Sequence, residues 1–476
     1  MKKNEILKNI TVEKLVFGGK WFARLKSENK DIDGKAIFIS GWVIPGSIIN
    51  VRVLKSRKDF IEAQAQETIQ KSPIEKLHPN NIYGMQAGCG WVNIPYEEQL
   101  KIKAWQIEES LFHTKKLQPD FEISPIVASP LVDNYRNKIE FSFWKFISAK
   151  HEKNEHFNVW FHKQWEFSKI EDFDGTILIS ELANKIYKEI KDFAKNSWFP
   201  VYDQFNGEWF FRHIVIREAF FTKQIMIIFS INHTFPEIEN LDFVKDFFQE
   251  LAKKYPEIAS IYLSLNNSKA DIAIWELELI YGKKYIEEKL LGLTFNISPK
   301  SFFQTNSYGA EKLYSEVLSQ VDANSLKDFT VLDLYGWTGT IWMVFAPHAK
   351  KVVSVELVKD ASEDGKENAW KNNITNMDFV NAKVEVFLDN YIKSWEKADL
   401  LIIDPPRAGM HPDALPNILN FKTKNIIYVS CNPATLARDL AYILQNSDYK
   451  ITKVTPVDMF PHTSHIETIV TLERSS

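Results

Sequence analysis

With 476 residues, 45% hydrophobic and 25% charged, the chain has a globular composition and room for two or three domains. It lacks the run of about 18 apolar residues that predicts a membrane span, and its start, MKKNEILKN, lacks the apolar stretch of a secretory signal. Two cysteines exclude a disulfide framework and fit a reducing cytoplasm. Charge is uneven: residues 1–76 hold 15 Lys/Arg against 9 Asp/Glu, and the remainder 43 against 53. A basic module on an acidic body fits a polyanion-binding appendage, and equally a solvated Lys-rich surface.

In chain order, ITVEKLVF, KAIFIS, SIINVRVLK and FIEAQAQETI alternate apolar and polar residues between the turn signals GG at 18–19 and PGS at 45–47. Short strands so spaced predict a small OB-like barrel over residues 1–75. A loop at 72–90 and a helix near 96–117 come next, and strands mixed with helices over 125–290 predict an α+β domain, bounded at 76–295. From 296 to 476 apolar strands (TVLDLYG, KVVSVEL, ADLLIIDPP, NIIYVSC) alternate with helices. This predicts an open, mostly parallel, Rossmann-like α/β sheet that binds its ligand at the carboxyl ends of its strands. Tyr335, Glu356, Asp404 and Cys431 fall at those ends.

Four motifs suggest chemistry. D-L-Y-G-W-T-G-T at 333–340, with Glu356 on the next strand, is a glycine-containing turn with an acid placed for ribose hydroxyls, although ordinary strand–helix turns also look like this. Asp404-Pro405-Pro406-Arg407 stops a strand with a carboxylate at the sheet rim, because each proline holds the residue before it extended. Cys431 in S-C-N-P-A-T lies before a helix, where the dipole favours thiolate; an inert buried thiol is the alternative. Glu467 in H-T-S-H-I-E opens the last strand, where desolvation would raise its pKa into a proton-accepting range, unless it is simply a surface Glu.

Together with S-F-F-Q-T-N at 301–306, and in this order, these motifs resemble the RNA 5-methyluridine (uracil-C5) methyltransferase family, most nearly the members that act on 23S rRNA. GGKWFAR and VIPGS resemble its TRAM domain, while N-K-I-E-F-S-F at 137–143 and Y-G-K-K-Y-I-E-E at 281–288 resemble its central segment. The resemblance implies S-adenosyl-L-methionine (AdoMet) contacts from Gln304, Tyr335, Glu356 and Asp404, with Thr340 as an addition. It further implies Cys431 as nucleophile, Glu467 as base and no metal at the site. The implied partner is RNA, ribosomal first and transfer second, with no membrane and no obligate protein partner. A catalytically impaired RNA-binding homologue is the alternative.

Two departures stand out. Many members carry four cysteines around an iron–sulfur cluster; Cys89 is the one cysteine in that region here, so no cluster is expected. Tryptophan also occupies several glycine-like positions, namely 21, 42, 160, 275, 337 and 342. A gene in which UGA encodes glycine would give this pattern under the standard code. That account predicts that Trp337 either crowds the Tyr335–Glu356 pocket or turns awkwardly outward; real tryptophan in an inactive or unusual member is the alternative.

Overall fold

The computed structural model describes the chain except for residues 17–18, 29–31, 80–88, 115–116, 119, 147–155, 161, 164–165, 171–172, 204–206, 237–239, 338, 395–396 and 476. Much of the loop expected at 72–90 lies outside the described residues.

Six strands over 6–70 form one sheet, in the spatial order Ile6–Thr11, Ile48–Ser56, Phe60–Gln70, Ala36–Ser40, Lys20–Arg24, Lys14–Val16. Alternation puts Ile49, Val51 and Val53 fully inside. ITVEKLVF is two strands rather than one, since Val12 and Glu13 turn their amides to Ser47 and Phe22. Trp91 and Ile94 complete this core, and Ile102 packs against it from helix α1 (Tyr96–Glu108).

The middle of the chain builds a second six-stranded sheet, running from Glu276–Gly282 at one edge to His156–Trp160 at the other. The helix Glu181–Asn196 covers it because Ala183, Ile186, Tyr187, Ile190 and Ala194 fall on one face. Its first turn is capped by Ser180, whose side chain accepts from the Ala183 amide, a bond worth about 1 kcal/mol.

The C-terminal sheet carries the candidate site. Its strands are β1 (Thr330–Leu334), β2 (Lys351–Glu356), β3 (Met377–Asn381), β4 (Leu400–Ile403), β5 (Asn425–Ser430), β6 (Tyr449–Val457) and β7 (Glu467–Arg474). They lie in the order β3-β2-β1-β4-β5-β7-β6, with the short strand Glu122–Ile123 beyond β6. β1 to β5 pair in parallel and β7 runs antiparallel between β5 and β6. Every residue of β4 (LLII) is buried, as befits a parallel strand covered on both faces. The helices used below are α2 (Ser307–Ser319), α3 (Thr340–Phe345), α4 (Lys359–Lys371) and α5 (Pro433–Asn446). With β2 and β4 on opposite sides of β1, the connections diverge there and open a crevice at the strand ends. This is the Rossmann-like α/β fold expected from the alternation of strands and helices. No described helix is long and apolar enough to cross a membrane.

Candidate active site

The turn after β1 depends on a residue without a side chain. A Cβ on Gly336 would lie 2.0 Å from Ser354 Oγ and 2.5 Å from Asp333 Oδ2, so only glycine fits. Ser354 donates to buried Asp333 at 2.6 Å, and burial pushes this carboxyl well above its usual range. The following amide, Trp337 N–H, donates to Glu356 Oε2 at 2.8 Å, while Oε1 accepts from Val358 N–H at 2.6 Å. Glu356 is thereby fixed at the end of β2. Tyr335, Trp337, Glu356, Gly409, His411 and Arg438 are among the residues lining a cavity of about 650 Å³, a size that suits a nucleoside-like ligand.

The second half of the site is set by strand register. β4 and β1 pair Ile403 with Leu334, and Asp404 continues from Ile403 with its amide on the Leu334 carbonyl. β5 and β7 pair Ser430 with Thr468, so one step further Cys431 stands opposite Glu467. Asn432 then caps α5, accepting from the Ala434 amide at 3.0 Å, and donates to the Arg407 carbonyl at 2.9 Å. The D-P-P-R and S-C-N-P segments are thus tied together. The Arg407 guanidinium reaches the His465 ring at 3.2 Å, a neighbour that the sequence did not reveal.

Burial dominates the electrostatics. It raises Glu467 well above the carboxylate range, assisted by Asp404 and opposed by Arg407. It pushes Asp404 up to about 7. The Cys431 thiol is pushed up to about 11 by burial and by Glu467, against the pull of Arg407. The helix start was expected to favour thiolate, but desolvation outweighs it in the free protein. His465 is driven down to about 4 by burial and by Arg407, so it is neutral at pH 7.

Of the residues singled out in the sequence, Tyr335 and Glu356 share the cavity, and Asp404, Cys431 and Glu467 cluster beside it. Gln304 is held by its backbone carbonyl, which accepts from Asn137 Nδ2 at 2.9 Å. Thr340 is buried at the start of α3, its hydroxyl 3.1 Å from the Tyr314 hydroxyl, and does not line the cavity. Trp337 does crowd the turn. It sits at φ +48°, its indole lies against Phe302 with ring centres 4.7 Å apart and planes tilted by 32°, and Nε1 points to the Asp404 carbonyl at 3.4 Å. Trp198, at φ +63° and 95% exposed, is a second tryptophan in the left-handed region, and no motif in the sequence pointed to it. Trp21 and Trp342, by contrast, are buried in apolar cores. The side chain of Trp160 lies outside the described residues.

An open α/β sheet with a glycine turn, an acid on the second strand and a Cys/Glu pair at its far strand ends defines a methyltransferase-type site. Residues 276–475 match the family model described as tRNA (Uracil-5-)-methyltransferase. An RNA methyltransferase of Caldanaerobacter subterraneus is 37% identical over 93% of this chain and 95% of its own. One of Fusobacterium nucleatum is 34% identical over 100% of this chain and 97% of its own. The crystal structure of Pyrococcus abyssi tRNA (uracil-54, C5)-methyltransferase with S-adenosyl-L-homocysteine superposes with a TM-score of 0.74 at 27% identity, covering 98% of this chain and 100% of that one. The chain belongs to the RNA uracil-5-methyltransferase family.

Proposed function

We propose that the chain methylates C5 of a uridine in structured RNA, with Cys431 adding to C6 and Glu467 accepting the C5 proton. The observation that carries this reading is the register placing Cys431 opposite Glu467, with Asp404 alongside. Uracil C5 is a weak nucleophile. Cys431 first releases its thiol proton to solvent; bonding of the resulting thiolate sulfur to C6 makes C5 an electron-rich enolate carbon and divides one hard step into easier ones. Bound AdoMet would supply the methyl group to C5 and leave as S-adenosyl-L-homocysteine. Glu467 then removes the C5 proton, the C5–C6 double bond re-forms and the Cys431 thiolate is expelled. Burial makes the ionised Glu467 carboxylate a stronger base, which suits that proton transfer once Glu467 has given up its own proton. The target base must leave any stack to reach Cys431.

Tyr335, Glu356, Gln304 and Asp404 would hold AdoMet, with Thr340 behind them. The Gly336 turn and the 650 Å³ cavity fit its adenosine end. Residues 1–75 would act as a TRAM-type RNA-binding module, 76–295 as linker and central RNA-binding domain, and 296–476 as the methyltransferase domain. Large-subunit ribosomal RNA is the first substrate to test, because of the TRAM-like residues. Transfer RNA is the second, because the archaeal neighbour that superposes over nearly the whole chain acts on it. Incubation with labelled AdoMet and unmodified ribosomal or transfer RNA, followed by nucleoside analysis, should give 5-methyluridine from one of them. Label in 5-methylcytidine, or none at all, would overturn the proposal.

A further inference from the structure

Glu467 itself pairs with Val457 of β6, but the segment that leads up to it is held from outside the sheet. Residues 458–463, just before β7, are gripped from outside it. Buried Gln99 on α1 accepts from the His462 amide at 2.7 Å, and its Nε2 donates to the carbonyls of Ile94 at 2.8 Å and Trp91 at 3.1 Å and faces His462 Nδ1 at 3.1 Å. One turn on, Lys103, also fully buried, donates to Asp458 at 2.6 Å and to the Phe460 carbonyl at 3.0 Å. His462 itself sits at φ +63°, a conformation a non-glycine residue keeps only when its surroundings impose it.

The donors fix the His462 tautomer. The Gln99 amide cannot flip, because its oxygen takes the His462 amide and its nitrogen serves two carbonyls. His462 Nδ1 faces the Gln99 amide nitrogen, which cannot accept a hydrogen, so the ring hydrogen sits on Nε2 and is donated to Asp133 at 2.8 Å. His78 approaches the other Asp133 oxygen at 3.2 Å. The three ligating atoms lie within 4.8 Å of one another. A protonated Nε2 aimed at the carboxylate makes the trio a hydrogen-bonded bridge, since a ligand nitrogen must be bare.

The same helix holds the N-terminal sheet. Gln106 Nε2 donates to the Leu15 carbonyl at 3.0 Å, Lys14 pairs with Glu109 just beyond the helix, and Lys14 also lies 4.6 Å over the Trp105 ring. We infer that α1 is a strut that fixes the position of the Glu467 carboxylate relative to the N-terminal sheet, with Gln99 as a positioning residue for proton removal. This rests on the proposed role of Glu467 as the base.

The test compares Gln99→Met and Gln99→Glu with Glu467→Gln in the full chain, using natural uridine RNA and AdoMet. Asp133→Ala, at a partly exposed side chain, serves as a third probe should the Gln99 variants fold poorly. AdoMet affinity and melting temperature report folding. The inference predicts a kcat about tenfold lower, a KM for RNA within twofold of the parent, and a methylated protein–RNA adduct accumulating in denaturing gels, because only the step after methyl transfer is slowed. A folded Gln99 or Asp133 variant that turns over normally, or that slows without adduct while Glu467→Gln traps it, overturns the inference and leaves the base assignment standing. No adduct from Glu467→Gln itself overturns the base assignment, and this inference with it.

Discussion

Glu467 begins its strand facing Cys431, one step beyond the Ser430–Thr468 pair. A one-residue slip of β7 against β5 would turn the carboxylate to the opposite face of the sheet, so the pair depends on the register of two buried strands. Glu467→Gln should therefore leave AdoMet binding intact and cut turnover by at least a hundredfold. Methylated RNA should remain attached to the protein. Normal release of 5-methyluridine by this variant would reduce Glu467 to a structural role.

Asp404 gives the site a pH signature. Its folded value of about 7 lies above the roughly 3.9 of an unfolded aspartate. Between these values the folded chain keeps a proton that the unfolded chain has lost, so stability falls as pH rises through that window. Asp404→Asn removes this contribution. The variant should match the parent near pH 4 and exceed it at pH 8 by on the order of 1–3 kcal/mol, discounted for partial exposure. Denaturant melts at the two pH values measure the difference, and an equal gap at both would contradict the shift.

The basic N-terminal sheet should contribute affinity by neutralising RNA phosphates. Trp91 and Ile94 sit in its core, so deleting the sheet would expose apolar surface and confuse the result. Exposed Lys26, Lys55 and Lys58 offer a cleaner probe. Changing all three to Glu should weaken RNA binding at least tenfold at low salt. It should also flatten the plot of log K against log salt by about 0.7–0.9 for each phosphate that is no longer neutralised. AdoMet affinity should not change. An unaltered salt slope would mean the basic face only solubilises the protein.

Much of the candidate site was legible in the sequence because strand ends are marked by short-range chemistry. Asp404 precedes two prolines and Cys431 precedes a capping Asn and a Pro, so both fall at the sheet rim wherever the strands pair. The opposition of Cys431 and Glu467 was not legible, because register across 36 residues depends on packing rather than local pattern. Nor was the role of α1. Gln99 and Lys103 look like polar positions of a solvated helix, and only the fold shows them buried against residues some 355 or more positions away. The expected thiolate failed for a related reason: the helix-end effect is local and visible, whereas desolvation by the rest of the molecule is not.

Trp337 gives the most direct test of the cofactor path. A left-handed backbone costs a non-glycine residue about 1–2 kcal/mol, and the indole reaches from the Glu356 turn to the Asp404 carbonyl. Trp337→Gly should tighten AdoMet binding at least fivefold by calorimetry and raise kcat. If the native gene reads UGA as glycine, peptides from the host will carry glycine at 337 and at 198, the two tryptophans with positive φ among the described residues. Tryptophan in those peptides, with weaker AdoMet binding by the Gly variant, would make the indole a genuine part of the site.

The central claim is covalent attack by Cys431, and RNA carrying 5-fluorouridine tests it most directly, because fluorine at C5 cannot leave as a proton. With AdoMet, the parent protein should form a stable adduct on ribosomal or transfer RNA that survives denaturation, and peptide mass spectrometry should place the methylated fluorouridine on Cys431. Cys431→Ala should form none while still binding the RNA. An adduct on another residue, or methylation of natural uridine by Cys431→Ala, would contradict the account.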